Sequence, residues 1–232
     1  MIDTNKHRYL MLQILKDIYS NLELANFLVF KGGTAMMLFH NLPRFSVDLD
    51  FNLLKIEEEE KVFEKIRTIL LKYGKIDDEA KKFFGLIFVL DYGSGERKLK
   101  IEVSNRQVEN KYEILDFMGI NMLVMTEEDM FANKLCALLD RKAIANRDIF
   151  DCWFFLQKRT AINEQIVKQR MRKPLPDYLQ DCINTIEFLP NKSLLDGLGE
   201  LVNPELKTFV RNKLRTETVT LLRFYKEFPI IE

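Results

Sequence analysis

Two short motifs, Lys31-Gly32-Gly33-Thr34 and Asp48-Leu49-Asp50, constrain this 232-residue chain more than anything else in it. Residues 27–31, Phe-Leu-Val-Phe-Lys, read as a strand. Gly32 and Gly33 break it, and Thr34 to His40 reads as a short helix. Glycines let backbone N–H groups approach an anion, and a helix N-terminus favours negative charge. A second strand is expected at about residues 45–53. Side chains alternate along a strand. Phe45, Val47, Leu49 and Phe51 therefore share an apolar face, and Arg44, Ser46, Asp48 and Asp50 share the other. Two carboxylates at i and i+2 repel each other unless a cation lies between them. Mg²⁺ takes such oxygen ligands and completes its shell with water and substrate phosphate. A lone Gly-Gly is most often a turn, and a lone Asp-x-Asp is most often a solvated strand edge. Their order and spacing here join a phosphate-approaching turn to a metal-binding pair.

A third carboxylate follows the same logic. In Leu99-Lys100-Ile101-Glu102-Val103, the apolar residues share one face, and Lys100 and Glu102 share the other. If this strand neighbours the Asp-x-Asp strand, three carboxylates converge, as two-metal phosphoryl or nucleotidyl transfer requires. Glu102 also suits a general base beside an attacking hydroxyl. The plainer alternative is a cross-strand Lys–Glu surface pair.

Two later helices carry charge in apolar surroundings. Thr126 is placed as the N-cap of a helix running to Arg141, with Phe131, Leu135, Leu138 and Leu139 on its buried face. Lys134 and Arg141 are two turns apart with the small Ala137 between them, a cationic stripe with room for a ligand. A solvated face is the alternative. In the next helix, Arg147-Asp148-Ile149-Phe150-Asp151 leads into Cys152-Trp153-Phe154-Phe155-Leu156, apolar nearly all round. Asp148 and Asp151 share a face, and Arg147 and Asp151 are placed to pair. Charges this close to a core are costly unless paired or used. Asp148 also suits a first-turn carboxylate favoured by the helix dipole.

Bulk properties narrow the field. Formal net charge is zero, so any nucleic-acid contact must come from a local patch. The segment Lys158–Lys173 offers one, with six cations against Glu164, although a solvated helix and linker explains it as well. The longest apolar run, about Phe83–Leu90, is far short of a membrane span, and the first residues have no signal-like apolar region. Cys136, Cys152 and Cys182 read as buried free thiols in a reducing cytoplasm. His7 and His40 make no metal-ligand spacing with the cysteines.

The expected fold class is α+β. An N-terminal mixed sheet with flanking helices spans 1–125, and an all-helical part spans 126–232. A helix over 5–25, a helix over 56–73, and strands at 83–92 and 97–104 joined by Gly93-Ser94-Gly95-Glu96 fill the first part. Prolines 174, 176, 190, 204 and 229 divide the second.

The layout of the first two motifs resembles the nucleotidyltransferase superfamily of DNA polymerase beta type. With all the blocks together, the chain resembles the AbiEii/AbiGii toxin family, found in bacterial abortive-infection and type IV toxin–antitoxin systems. Gly32-Gly33-Thr34 with Arg44-x-Ser46-x-Asp48-x-Asp50 looks like its first motif. Lys100-Ile101-Glu102-Val103 looks like the second, with Glu where many members have Asp. Asp129 through Lys134 with Arg141 looks like the third, and Arg147-Asp148-x-x-Asp151 like the fourth. The resemblance covers roughly residues 30–155.

It implies a transferase moving a nucleoside monophosphate from an NTP to a hydroxyl, with Mg²⁺ or Mn²⁺ on Asp48, Asp50 and Glu102. Lys134 would contact the triphosphate, and Asp148 would be an essential acid. Gly32, Gly33, Thr34, Arg44, Ser46, Arg141 and Asp151 would complete the nucleotide site. The acceptor would be RNA, such as a tRNA acceptor end, and a cognate antitoxin would restrain the enzyme. A small-molecule transferase of the antibiotic-modifying type, or a non-catalytic binding module on the same scaffold, remain the alternatives.

Overall fold

The computed structural model of the chain describes residues 3–93, 97–141 and 143–231. Period-two burial organises its sheet. Leu49, Phe51 and Leu53 of one strand and Leu99, Ile101 and Val103 of another are almost wholly buried, while the residues between Leu99, Ile101 and Val103 stay half-exposed. Burying each such side chain contributes about 1.5–3 kcal/mol.

The chain divides into two compact units. The first comprises Met1–Asn41, Phe45–Gln107 and Tyr112–Met125. In chain order it holds α1 (Thr4–Ser20), α2 (Leu22–Phe27), β1 (Leu28–Lys31), α3 (Gly32–Phe39), β2 (Asp48–Leu53) and α4 (Glu59–Leu70). Then come β3 (Lys75–Lys82), β4 (Gly85–Asp91), β5 (Leu99–Ser104), β6 (Tyr112–Phe117) and β7 (Ile120–Met125). These seven strands form one mixed sheet in the order β3-β4-β5-β2-β1-β7-β6. β2 runs parallel to β5 and antiparallel to β1, and β1 runs parallel to β7. The expected α+β class with a mixed sheet is what the chain adopts.

Helix α1 buries His7, Leu10, Met11, Ile14, Leu15 and Ile18, the i, i+3, i+4, i+7 spacing of an amphipathic helix. Asp3 caps it, accepting from the Asn5 and Lys6 amides. α4 buries Val62, Phe63, Ile66, Ile69 and Leu70 and carries Glu59 and Glu60 in its first turn, where the dipole favours them.

Several elements differ from the sequence reading. The helix over 5–25 is two helices, divided at Asn21, whose side chain caps α2. β2 begins at Asp48 rather than near residue 45, because His7 Nε2 bonds the Val47 carbonyl and takes the place of a ladder partner. The turn expected over Gly93-Ser94-Gly95-Glu96 falls mostly on residues outside those described. Three strands went unread. β3, Lys-Ile-Asp-Asp-Glu-Ala-Lys-Lys, is a charged edge strand with no apolar face, and charge is how exposed edges resist further pairing. β6 and β7 pair with each other, and Met118-Gly119 between them, both at positive φ, forms their turn.

The second unit comprises Leu42–Arg44, Val108–Lys111 and Thr126–Glu232. It is helical: α5 (Glu127–Asp140), α6 (Asn146–Lys158), α7 (Glu164–Met171), α8 (Leu175–Glu187), α9 (Pro204–Asn212) and α10 (Leu214–Glu227). Thr126 stands at the N-cap position of α5, but its side chain makes no capping bond. Cys136, Cys152 and Cys182 are buried free thiols. Tyr178 donates to the Leu135 carbonyl, and Tyr225 to that of Thr160, so the buried phenols are satisfied. No helix among the described residues is long and apolar enough to cross a membrane.

Candidate functional site

In the first unit the carboxylates lie where parity puts them. The parallel register sets Asp50 directly opposite Glu102 and Asp48 opposite Lys100. Asp48, Asp50 and Glu102 are all half-exposed, whereas their strand neighbours Leu49 and Ile101 are sealed. The three acids therefore form one strip along adjacent strands. Glu102 is turned onto Lys100, its neighbour two residues back on the same strand, with Oε2 2.5 Å from Nζ. Burial works to raise the Glu102 carboxyl. The cations Lys100, Lys31 and Arg106 outweigh it and hold the group below the usual range.

The Gly-Gly turn is built around Asp50. Gly32 has φ +80°, and a Cβ there would collide with the Asp50 carboxylate. Both the conformation and the space demand glycine. Gly33 and Thr34 are buried in the first turn of α3, and Thr34 Oγ1 donates to the Asp48 carbonyl at 2.5 Å. Thr34 thus ties the helix start to the first aspartate. The N-cap residue Lys31 supplies no side-chain bond to that helix start.

Hard oxygen donors spaced in this way suit a divalent cation. Among the described residues no three His, Cys, Asp or Glu side chains are gathered closely enough to enclose a metal. Asp48 and Asp50 are oxygen donors of the kind Mg²⁺ takes, and Glu102, on the adjacent strand, is engaged by Lys100.

The second unit holds a different assembly. Asp148 and Asp151 on α6 are both 0% exposed. Arg44 closes its guanidinium fork on Asp151, with Nε 2.6 Å from Oδ1 and Nη2 2.7 Å from Oδ2. Lys134 Nζ bridges the pair, 2.9 Å from Asp148 Oδ1 and 2.7 Å from Asp151 Oδ2. Arg141, just past the end of α5, brings Nε to 3.3 Å from Asp148 Oδ2, close enough for charge attraction but outside hydrogen-bond geometry. Three cations against two anions leave the cluster at +1. Burial works to raise Asp151, but Arg44 and Lys134 bring its pKa down to about 2. Burial works to lower Lys134, but the two aspartates hold it above the ordinary lysine range.

The shared strand face that placed Arg44 beside Asp48 and Asp50 does not exist, because β2 starts four residues later. Arg44 is 4% exposed and committed to Asp151. Ser46 is likewise buried ahead of the strand. The cationic stripe of Lys134 and Arg141 is real, but both residues point at Asp148. Asp129 of the third block is also buried, accepting from the Lys111 amide and from Asn163 Nδ2. In the segment 158–173, Lys158 pairs with Glu127, Arg170 with Asp140 and Lys173 with Asp181, so half of its six cations are matched by acids. The Lys–Glu pair weighed as the plainer alternative does form, along one strand between Lys100 and Glu102 rather than across two.

A family model described as nucleotidyl transferase AbiEii toxin, type IV TA system, matches residues 13–218. That span reaches well beyond residues 30–155 in both directions. Among solved structures the chain is similar to JHP933 from Helicobacter pylori, at 22% identity and TM-score 0.62, covering 97% of this chain and 92% of that one. It is also similar to an H. pylori protein presumed to be a nucleotidyltransferase, at 21% identity and TM-score 0.64, covering 97% and 95%. At these identities the likeness is one of fold. No curated protein matches.

Proposed function

The chain belongs to the AbiEii family of nucleotidyl transferase toxins, and from that premise we propose that it moves a nucleoside monophosphate from an NTP to an RNA hydroxyl. The observation that carries this reading is the half-exposed strip of Asp48, Asp50 and Glu102 beside the Gly32 turn. Asp48 and Asp50 would hold Mg²⁺, with Glu102 joining when it leaves Lys100. The ion, when bound, would supply charge neutralisation of the triphosphate and acidity to the attacking hydroxyl.

The acceptor hydroxyl gives up its proton to solvent, its oxygen bonds to the α-phosphorus, the bond from that phosphorus to the oxygen bridging the β-phosphate breaks, and pyrophosphate leaves. The lowered pKa of Glu102 suits a ligand that must be ionised. The same shift weakens it as a proton acceptor, so the base role is the lesser one.

Lys134 and Arg141 would contact the phosphates. Asp148, Asp151 and Arg44 act as positioning residues, since their charges are spent on one another and on Lys134. The family places the protein in a toxin–antitoxin pair, so restraint by a cognate antitoxin belongs to the proposal. The test is incubation with each labelled NTP, Mg²⁺ and total RNA. Label in RNA supports the reading. Label only in a small molecule or in the protein itself moves the acceptor elsewhere, and no label at all favours a binding module.

A further inference from the structure

The β3–β4 hairpin ends in an aromatic pair that the fold does not need. Lys82 pairs with Gly85, so Phe83 and Phe84 are the two central residues of the turn. Such turns ordinarily use Asn, Asp or Gly. Neither phenylalanine has positive φ. Gly85, at φ +130°, absorbs the unusual backbone, and a Cβ there would collide with the Val103 carbonyl. Phe83 is 88% exposed and Phe84 55%. Neither ring is placed to gain the burial energy that usually retains a phenylalanine.

Their surroundings suit a nucleic-acid strand. The rings meet edge to face, with centroids 4.8 Å apart at 82°. The Arg106 guanidinium lies over Phe84, 4.4 Å from the ring centre. Lys82 and Arg106 are exposed beside them. The turn also adjoins the carboxylate strip. Gly85 is opposite Ser104, two residues or roughly 7 Å along β5 from Glu102.

We propose that Phe83 and Phe84, with Arg106 and Lys82, form a stacking platform for an unpaired base of the acceptor RNA near the end that receives the nucleotide. The proposal rests on the RNA-acceptor reading above. Aromatic rings take any base by its π-face, and flanking cations neutralise the backbone. The platform therefore confers preference for single-stranded ends rather than for a sequence.

The test uses the full chain and two fluorescein-labelled probes, a single-stranded oligoribonucleotide of mixed sequence and a blunt RNA duplex of the same length. In Phe83→Ala/Phe84→Ala, single-strand affinity should fall about tenfold or more, with duplex affinity, NTP affinity and melting temperature unchanged. Phe83→Leu/Phe84→Leu, apolar but without rings, should lose nearly as much. Phe83→Trp should bind at least as tightly as wild type. Unchanged affinity in the alanine variant overturns the platform. Retained affinity in the leucine variant also overturns it, because the contact with RNA would then need apolar bulk and not aromatic stacking. RNA labelling by wild type and alanine variant alike overturns the platform while leaving the RNA-acceptor reading intact. Wild type that neither binds nor labels RNA removes that reading and the platform with it.

Discussion

The two units carry their acids in opposite ways. On the sheet, Asp48, Asp50 and Glu102 are half-exposed, and no enclosing set of His, Cys, Asp or Glu side chains forms around them among the described residues. On α6, Asp148 and Asp151 are sealed from solvent and neutralised by Arg44, Lys134 and Arg141. The sheet acids are open to solvent, and on the function proposed above they would take a metal and phosphate. The helix acids cannot be approached without undoing ion pairs. On the proposed function the difference separates chemistry from positioning: identical side chains would serve different ends according to their exposure.

The sharpest way to break this comparison is to delete one acid from each unit and measure denaturant unfolding. Asp151→Ala strands Arg44 and Lys134 in a buried site and should destabilise its unit by about 3–5 kcal/mol. Asp48→Ala, on a half-exposed strand position, should cost less than about 0.5 kcal/mol. Equal losses would erase the distinction.

Acid titration gives the next largest effect. The Asp151 pKa is brought down from 3.8 to about 2. A depressed carboxylate stabilises fully above its unfolded value and loses that contribution as pH falls through its folded value. The second unit should therefore lose about 2 kcal/mol between roughly pH 4 and pH 2. Lys134, raised, acts in the other direction, its contribution fading only above the ordinary lysine range. Circular dichroism against pH checks this, and a flat acid limb in wild type would contradict it.

Gly32→Ala should cost about 1–2 kcal/mol from its positive φ alone. It should also reduce NTP transfer, because the new methyl displaces the Asp50 carboxylate. A thermal melt and a transfer assay separate the two effects. The smallest effect belongs to Lys100→Met. Stability should change by less than about 1 kcal/mol, while the Glu102 pKa rises and Mg²⁺ binding tightens in calorimetry as Glu102 is released. Weaker Mg²⁺ binding in that variant would place Glu102 outside the metal site.

Much of the sheet site was legible, because it depends on local parity. Leu49 and Phe51 alternate with Asp48 and Asp50, and Leu99 and Ile101 with Glu102, so a sealed face implies an open one. The parallel neighbourhood of β2 and β5 had to be supposed. Gly32 was legible as a glycine near an anion, but its closeness to Asp50 was not, since that depends on how β1 turns into α3.

The helical cluster was legible in membership and not in wiring. Asp148, Asp151, Lys134 and Arg141 could all be named from their apolar neighbours. Arg147, one turn from Asp151, was the obvious partner by spacing. The fork that closes on Asp151 comes from Arg44, 107 residues away, and no periodicity encodes such a contact. β3 was hidden for the opposite reason. Its charged residues protect an edge and bury nothing that a pattern could reveal.

The central claim is that the open acids perform the chemistry. Its most direct measurement is NTP transfer to RNA by wild type and by Asp48→Asn, which removes the charge and keeps the shape. We expect transfer to fall at least about a hundredfold, equivalent to about 2.7 kcal/mol in the barrier, with the melting temperature unchanged. Transfer at the wild-type rate from a folded Asp48→Asn protein would contradict the account and move the active carboxylates away from the sheet.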